Sequence, residues 1–159
     1  MTLIIRKRIE QALEKFLVFL MGILVLDVLW QVTSRYVLTS PSSFTDELAG
    51  FLLIWVGLFG AAYVSGKNQH LAIDLLLQKV DIKAKKRLEI FIQIAIVLFG
   101  LFVFVIGGVW LVYTRFALDV RSAALHIPLG YVYLVLPLSG LLIIFFAIDN
   151  IAGIIRDGD

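Results

Sequence analysis

Apolar residues fall into four long blocks along this chain, separated by short polar stretches. The blocks cover about 16–38, 48–65, 88–113 and 129–155. A bilayer core is crossed by roughly 17–25 mostly apolar residues rising about 1.5 Å each in a helix. The pattern therefore predicts four transmembrane helices. Thr39-Ser40-Pro41-Ser42-Ser43 breaks the first block from the second, because proline and serines stop a helix and favour a turn. Ser43 is placed to cap the second helix, with Asp46 three residues on as a partial capping box. Asp46 and Glu47 also suit the positive end of that helix's dipole.

Gly66-Lys67-Asn68-Gln69-His70 ends the second block. The next segment, 71–80, is too short and too polar to span. Its Ile73, Leu76, Leu77 and Val80 recur at i, i+3, i+4, i+7, with Asp74, Gln78 and Asp81 on the other face. That periodicity predicts a short amphipathic helix along the membrane surface or against a partner. A polar loop holding Arg115, Asp119, Arg121, Ser122 and His126 leads to Pro128 and the fourth block. The expected fold is an all-α integral membrane protein: four transmembrane helices plus a surface helix between the second and third. Residues 1–159 read as a single domain, without internal repeats.

Composition agrees. Hydrophobic residues make up 61% of the chain and charged residues 16%, whereas about a quarter of a soluble domain is charged. Cysteine is absent, which removes disulfides, thiolate metal sites and Cys nucleophiles. The formal charge of +2 is too small to point to nucleic acid. Arg6, Lys7 and Arg8 before an apolar run imitate a signal peptide, but the run is too long and no small-x-small site follows. It reads as a retained first helix.

Four spans put both termini on one side. That side carries Arg6, Lys7, Arg8, Lys15, Lys67, Lys79, Lys83, Lys85, Lys86, Arg87 and Arg156, and the other only Arg35, Arg115 and Arg121. The positive-inside rule makes the first side cytoplasmic. Trp30, Tyr36, Trp110, Tyr113, Tyr131 and Tyr133 fall near the outer ends, where amphipathic rings favour the interface.

Several positions are candidates for function. Asp27 lies mid-span, where an ionised carboxylate facing lipid is costly. Asp27, Gln31 and Arg35 recur at i, i+4, i+8 and form one polar stripe on the first helix. The stripe reads as a proton or ion site, or as a packing face hydrogen-bonded to another helix. One carboxylate without a second buried ionisable group makes a poor relay. Arg35 and Glu47 flank the outer loop, and an ion pair between them would pin the first helix to the second. Glu47 could equally face a partner protein. Gly57, Ala61 and Ser65 recur every four residues, with Gly60 adjacent. Such spacing lets a helix approach closely, from this chain or from another. His70 and Asp74 suit a hydrogen-bonded elbow beside the surface segment; a metal site needs more ligands. His126 belongs to the opposite face, which excludes a haem shared with His70. The sequence holds no nucleophile with its base, no phosphate-cradling loop and no intramembrane protease motif. Nor does it show the inverted repeats and broken helices of a complete solute pathway. It reads as non-enzymatic, with no cofactor and no metal.

The order of these features resembles a known family. Arg35-Tyr36 ends the first helix, a short polar loop follows, and Asp46-Glu47-Leu48 opens the second. The run Leu53-Ile54-Trp55-Val56-Gly57-Leu58-Phe59-Gly60-Ala61-Ala62 leads to Gly66-Lys67-Asn68-Gln69-His70-Leu71-Ala72-Ile73-Asp74. Ser122-Ala123-Ala124-Leu125-His126-Ile127-Pro128, a tyrosine pair and Pro137 complete the pattern. The chain resembles the small permease subunit of tripartite ATP-independent periplasmic (TRAP) transporters, the DctQ-like family. It departs from that pattern at Phe44, where tryptophan is common, and at Gly50, where a basic residue is common.

The resemblance implies a bacterial inner-membrane complex. A large permease subunit would carry the substrate and sodium sites and move as an elevator. A periplasmic substrate-binding protein would deliver a carboxylate solute, such as a C4-dicarboxylate or a sialic acid. This chain would brace the large subunit's scaffold within membrane lipid and help dock the binding protein. Asp27, Gln31, Arg35, Glu47, Trp55, Gly57, Gly60, Ala61, His70 and Asp74 are then structural or interface candidates. Glu47, Arg115, Asp119 and Arg121 are candidate binding-protein contacts. The chain ends soon after the fourth helix, as expected of an unfused form. Two other readings compete: a self-sufficient small exporter dimerising around Asp27, and a membrane anchoring factor with no transport role.

Overall fold

A computed structural model of the chain describes residues 2–38, 42–67 and 82–156. Among the described residues the regular elements are all helical. They are α1 (Thr2–Tyr36), α2 (Ser43–Gly66), α3 (Ile82–Phe99), α4 (Gly108–Ala117), α5 (Leu129–Tyr133) and α6 (Val135–Arg156). A π-helical segment, Gly100–Gly107, joins α3 to α4. Together they form four helices long and apolar enough to cross a membrane: Ile4–Tyr36, Ser43–Gly66, Lys85–Ala117 and Leu129–Arg156. The four expected spans are therefore present. The surface helix expected at 71–80 lies outside the described residues, as do His70 and Asp74.

Local chemistry sets the boundaries. Ser42, not Ser43, holds the N-cap position of α2 with extended backbone, and its hydroxyl makes no capping bond. The capping box expected from Ser43 and Asp46 does not form, because Ser43 lies inside the helix and Asp46 stands four residues past the cap, where its carboxylate accepts a hydrogen bond from the Gln31 amide on α1. In the fourth span, Pro137 has no N–H to donate to the carbonyl four residues back. That carbonyl belongs to Tyr133, where α5 ends; Leu134 separates it from the start of α6. The apolar pattern of the third span gave no sign of the π-helical segment.

The spans pack in the spatial order first, second, fourth, third. α1 and α2 are antiparallel: Phe16 meets Phe59 edge-on at 5.5 Å between ring centroids, and the Tyr63 hydroxyl donates to Glu14 at 3.3 Å. α2 packs on α6 around Phe59, Ala62, Ile143 and Phe146, with Leu13 of α1 in the same cluster. α6 packs on the third span by close backbone approach. A Cβ added at Gly140 would fall 2.5 Å from the Phe104 Cβ, so only glycine fits there. Gly130 is likewise closed in by the Phe116 ring. With so few interior residues, most of the apolar surface faces outward, including Phe19, Leu26 and Trp30 of α1 and Phe91, Phe102 and Trp110 of the third span.

Candidate functional site

At one end of the helices the loop after α4 is built as a receptor for a carboxylate. α4 closes with Asp119 in the left-handed region (φ 44). There the Asp119 N–H donates to the Phe116 carbonyl and the Val120 N–H to the Arg115 carbonyl, both at 3.1 Å. This is the six-to-one, five-to-two pattern that satisfies a helix end, with aspartate in the usual glycine position. The loop then folds back on itself. Ser122 N–H donates to Ile127 O and Leu129 N–H to Val120 O, each at 2.9 Å. Its tip presents three successive N–H groups to Glu47. Glu47 Oε1 accepts from Ala123 at 3.0 Å, and Oε2 accepts from Ala124 and Leu125 at 2.8 Å each. Successive amides turned to one point make an anion-binding nest, and here the anion is supplied by Glu47, near the start of α2.

The expected Arg35–Glu47 pair is therefore replaced. Glu47 is engaged by backbone amides, and Arg35 is exposed at the end of α1 with no ion pair among the described residues. A rigid loop loses little entropy in binding the carboxylate, whereas an exposed arginine must be immobilised to do so. The contact that joins α1 to α2 at this end is Gln31 with Asp46. Asp27, on the same stripe, is 8% exposed, and its Oδ2 has no hydrogen-bond partner among the described residues. Trp55 donates its indole N–H to the Val132 carbonyl at 2.9 Å, tying α2 to α5. Arg115 lies over the Tyr133 ring at 5.8 Å, and Arg121 pairs with Asp119 at 3.1 Å in an exposed setting.

The opposite end carries a clasp that sequence reasoning missed. Arg6 Nε meets Glu10 at 2.9 Å and Nη1 meets Asp149 at 2.6 Å. Its Nη2 donates to the Gly66 carbonyl at the C-terminus of α2. One guanidinium thus holds the ends of α1, α2 and α6, and places positive charge where the α2 dipole is negative. Asp149, a lone acid near the end of an apolar block, was the available signal.

The small residues of α2 divide. Ser65 is buried. A Cβ added at Gly57 or Gly60 would meet nothing within 4 Å, and Ala61 is exposed. Leu53, Ile54 and Val64 flank them on the same open side. Among the described residues nothing packs on Gly57 or Gly60 of this face.

A family described as "Tripartite ATP-independent periplasmic transporters, DctQ component" matches residues 24–157. The chain belongs to this family. It is 27% identical over 137 residues to a Haemophilus influenzae TRAP transporter small permease protein, covering 85% of this chain and 82% of that one. It is 31% identical over 116 residues to the C4-dicarboxylate TRAP transporter small permease protein DctQ of Rhodobacter capsulatus, covering 72% and 50% respectively. It is also 33% identical over 79 residues to the sialic acid TRAP transporter permease protein SiaT of Haemophilus influenzae. That match covers 50% of this chain but only 13% of the longer SiaT chain. The DctQ family is a transporter component and not an enzyme. A DctQ-family chain of this shape is a multi-pass membrane protein.

Proposed function

We propose that this chain is the small membrane subunit of a sodium-coupled TRAP transporter for a carboxylate solute, and that it braces the scaffold of the large permease subunit. The observation that carries this reading is the open face of α2. Gly57 and Gly60 have free space above them, and Leu53, Ile54, Ala61 and Val64 stand exposed beside them. In lipid, helices associate through small residues that let backbones approach, so this face suits a helix from another subunit. The SiaT relative supports the choice of partner, since a segment like this one is part of a much longer permease chain there.

The latches fit a brace. Glu47 fixes the outer loop, Arg6 fixes the opposite ends, and both act on helix ends rather than along a solute path. Among the described residues, the charges left without an ion pair at the outer rim are cationic. Asp46, Glu47 and Asp119 are each engaged within the chain, whereas Arg35 and Arg115 have no ion pair among the described residues. The periplasmic binding protein would accordingly meet arginines here, with Glu47 acting as a support for the loop. The Arg6 end faces the cytoplasm of a bacterial inner membrane, in keeping with its excess of lysine and arginine.

The test is uptake into vesicles. Radiolabelled sialic acid and C4-dicarboxylates are offered to vesicles holding the large subunit with its binding protein outside, with and without this chain. Uptake of one solute that needs both this chain and an inward sodium gradient is expected, and Asp27→Asn should retain it. Full uptake without the chain would reject the reading. Proton-driven transport by the chain alone, lost in Asp27→Asn, would replace it with the exporter.

A further inference from the structure

Three polar side chains on three different helices are buried in the interior. Ser65, Gln93 and Asn150 are 8%, 6% and 4% exposed. Each keeps an oxygen without a hydrogen-bond partner among the described residues: Ser65 Oγ, Gln93 Oε1 and Asn150 Oδ1. The three come from α2, α3 and α6. Asn150 and Ser65 are adjacent, since the Asn150 amide donates to the Ser65 carbonyl at 3.4 Å.

Register brings Gln93 to the same level. Gly100 faces Ile144, and Phe104 faces Gly140, so a step of four along the third span matches a step of four along α6 in the opposite sense. Continuing that register sets Gln93 level with Ile151, the residue after Asn150. Gln93, Ile96 and Gly100 share one helix face. Ile96 packs on the core of Ile143 and Phe146, and Gly100 meets the Ile144 side chain. Gln93 is therefore buried on the face of α3 that is turned to α6.

We propose that one water molecule is bound between Ser65, Gln93 and Asn150 and ties α2, α3 and α6 together. The valences match. The two amide carbonyls are acceptors and take the two hydrogens of the water, while the serine hydroxyl donates to its oxygen. Buried waters typically make about three such bonds to groups otherwise unpaired. A cation fits less well. The three groups are neutral, and the nearby Asp149 carboxylate is held by Arg6 at 2.6 Å. An uncompensated charge in this interior would be costly.

The test rests on an opposition of signs. If Gln93 Oε1 is unpaired, Gln93→Leu removes a buried orphan acceptor and leaves stability unchanged or raised. If it is bonded to water, the same change breaks the bridge. For the full chain in nanodiscs, Gln93→Leu should lower the melting midpoint by roughly 2–4 °C. Asn150→Leu added to it should cost less than Asn150→Leu alone, because the bridge is already gone. An unchanged or raised midpoint in Gln93→Leu, or strictly additive effects, would overturn the proposal. So would a midpoint that rises in sodium over choline chloride and loses that rise in Gln93→Leu, which would assign a cation. If the variants do not fold, a high-resolution map of the assembled complex decides. Density within hydrogen-bond reach of all three oxygens is expected, and side chains bonded to each other or to another subunit would overturn it.

Discussion

Arg6 and Asp149 lie 2.6 Å apart although 143 positions separate them. The bond joins the first helix to the last at the end where both chain termini emerge. The same guanidinium also holds Glu10 and the final carbonyl of α2. Arg6→Ala removes all these contacts and leaves a partly buried Asp149 unpaired. Hydrogen bonds to charged groups contribute roughly 1.5–3 kcal/mol each. Arg6→Ala should therefore lower the melting midpoint by several degrees, and Lys7→Ala, on an exposed position, should barely move it. Equal shifts in a side-by-side thermal denaturation would remove Arg6 from this role.

Glu47 makes a different prediction. Glu47→Gln keeps one acceptor oxygen but loses the charge and the second acceptor, so the loop at 122–125 should open more often. Hydrogen exchange should speed up about tenfold at the Ala123, Ala124 and Leu125 amides. Amides in the middle of α6 should be unaffected. Unchanged exchange at the loop tip would show that the nest does not hold it.

Glycine position separates folding from assembly. Gly57→Leu and Gly60→Leu project into open space, so the chain should insert and melt as before yet lose its partner helix. Gly140→Leu strikes Phe104 and should destabilise the chain itself, by a few kcal/mol as overpacked cores do. The check is the melting midpoint of each variant beside its recovery with the large subunit. Loss of folding in Gly57→Leu, or normal assembly, would place the interface elsewhere.

Much of the fold was legible because spanning a bilayer imposes a coarse rule. A long apolar block must be a helix, since its backbone groups have no water to bond. The four spans followed from that rule alone. The clasps were harder to read, because they depend on which helices are neighbours. Arg35 and Glu47 sat close in sequence and were expected to pair. The structure instead gives Glu47 to amides 76 to 78 positions away and gives Asp46 to Gln31. Arg6 and Asp149 could be matched only once the first and fourth spans were known to share an end. The face formed by Gly57, Gly60 and Ala61 was visible as spacing. The structure adds that nothing among the described residues packs on Gly57 or Gly60.

Orientation has its own test. A single cysteine at Ser43 should react with an impermeant thiol reagent from the periplasmic side, and one at Lys85 should not. The chain has no native cysteine to confuse the readout. Labelling of Lys85→Cys from outside would invert the topology and move the basic end out of the cytoplasm.

The most direct measurement is copurification. The tagged chain is extracted in mild detergent, captured, and its companions are identified and quantified. Recovery of a much larger polytopic permease in equal amount, reduced at least tenfold by Gly57→Leu, is the expected result. A homodimer without any companion, or full recovery of the permease with Gly57→Leu, would contradict a bracing subunit that docks through α2.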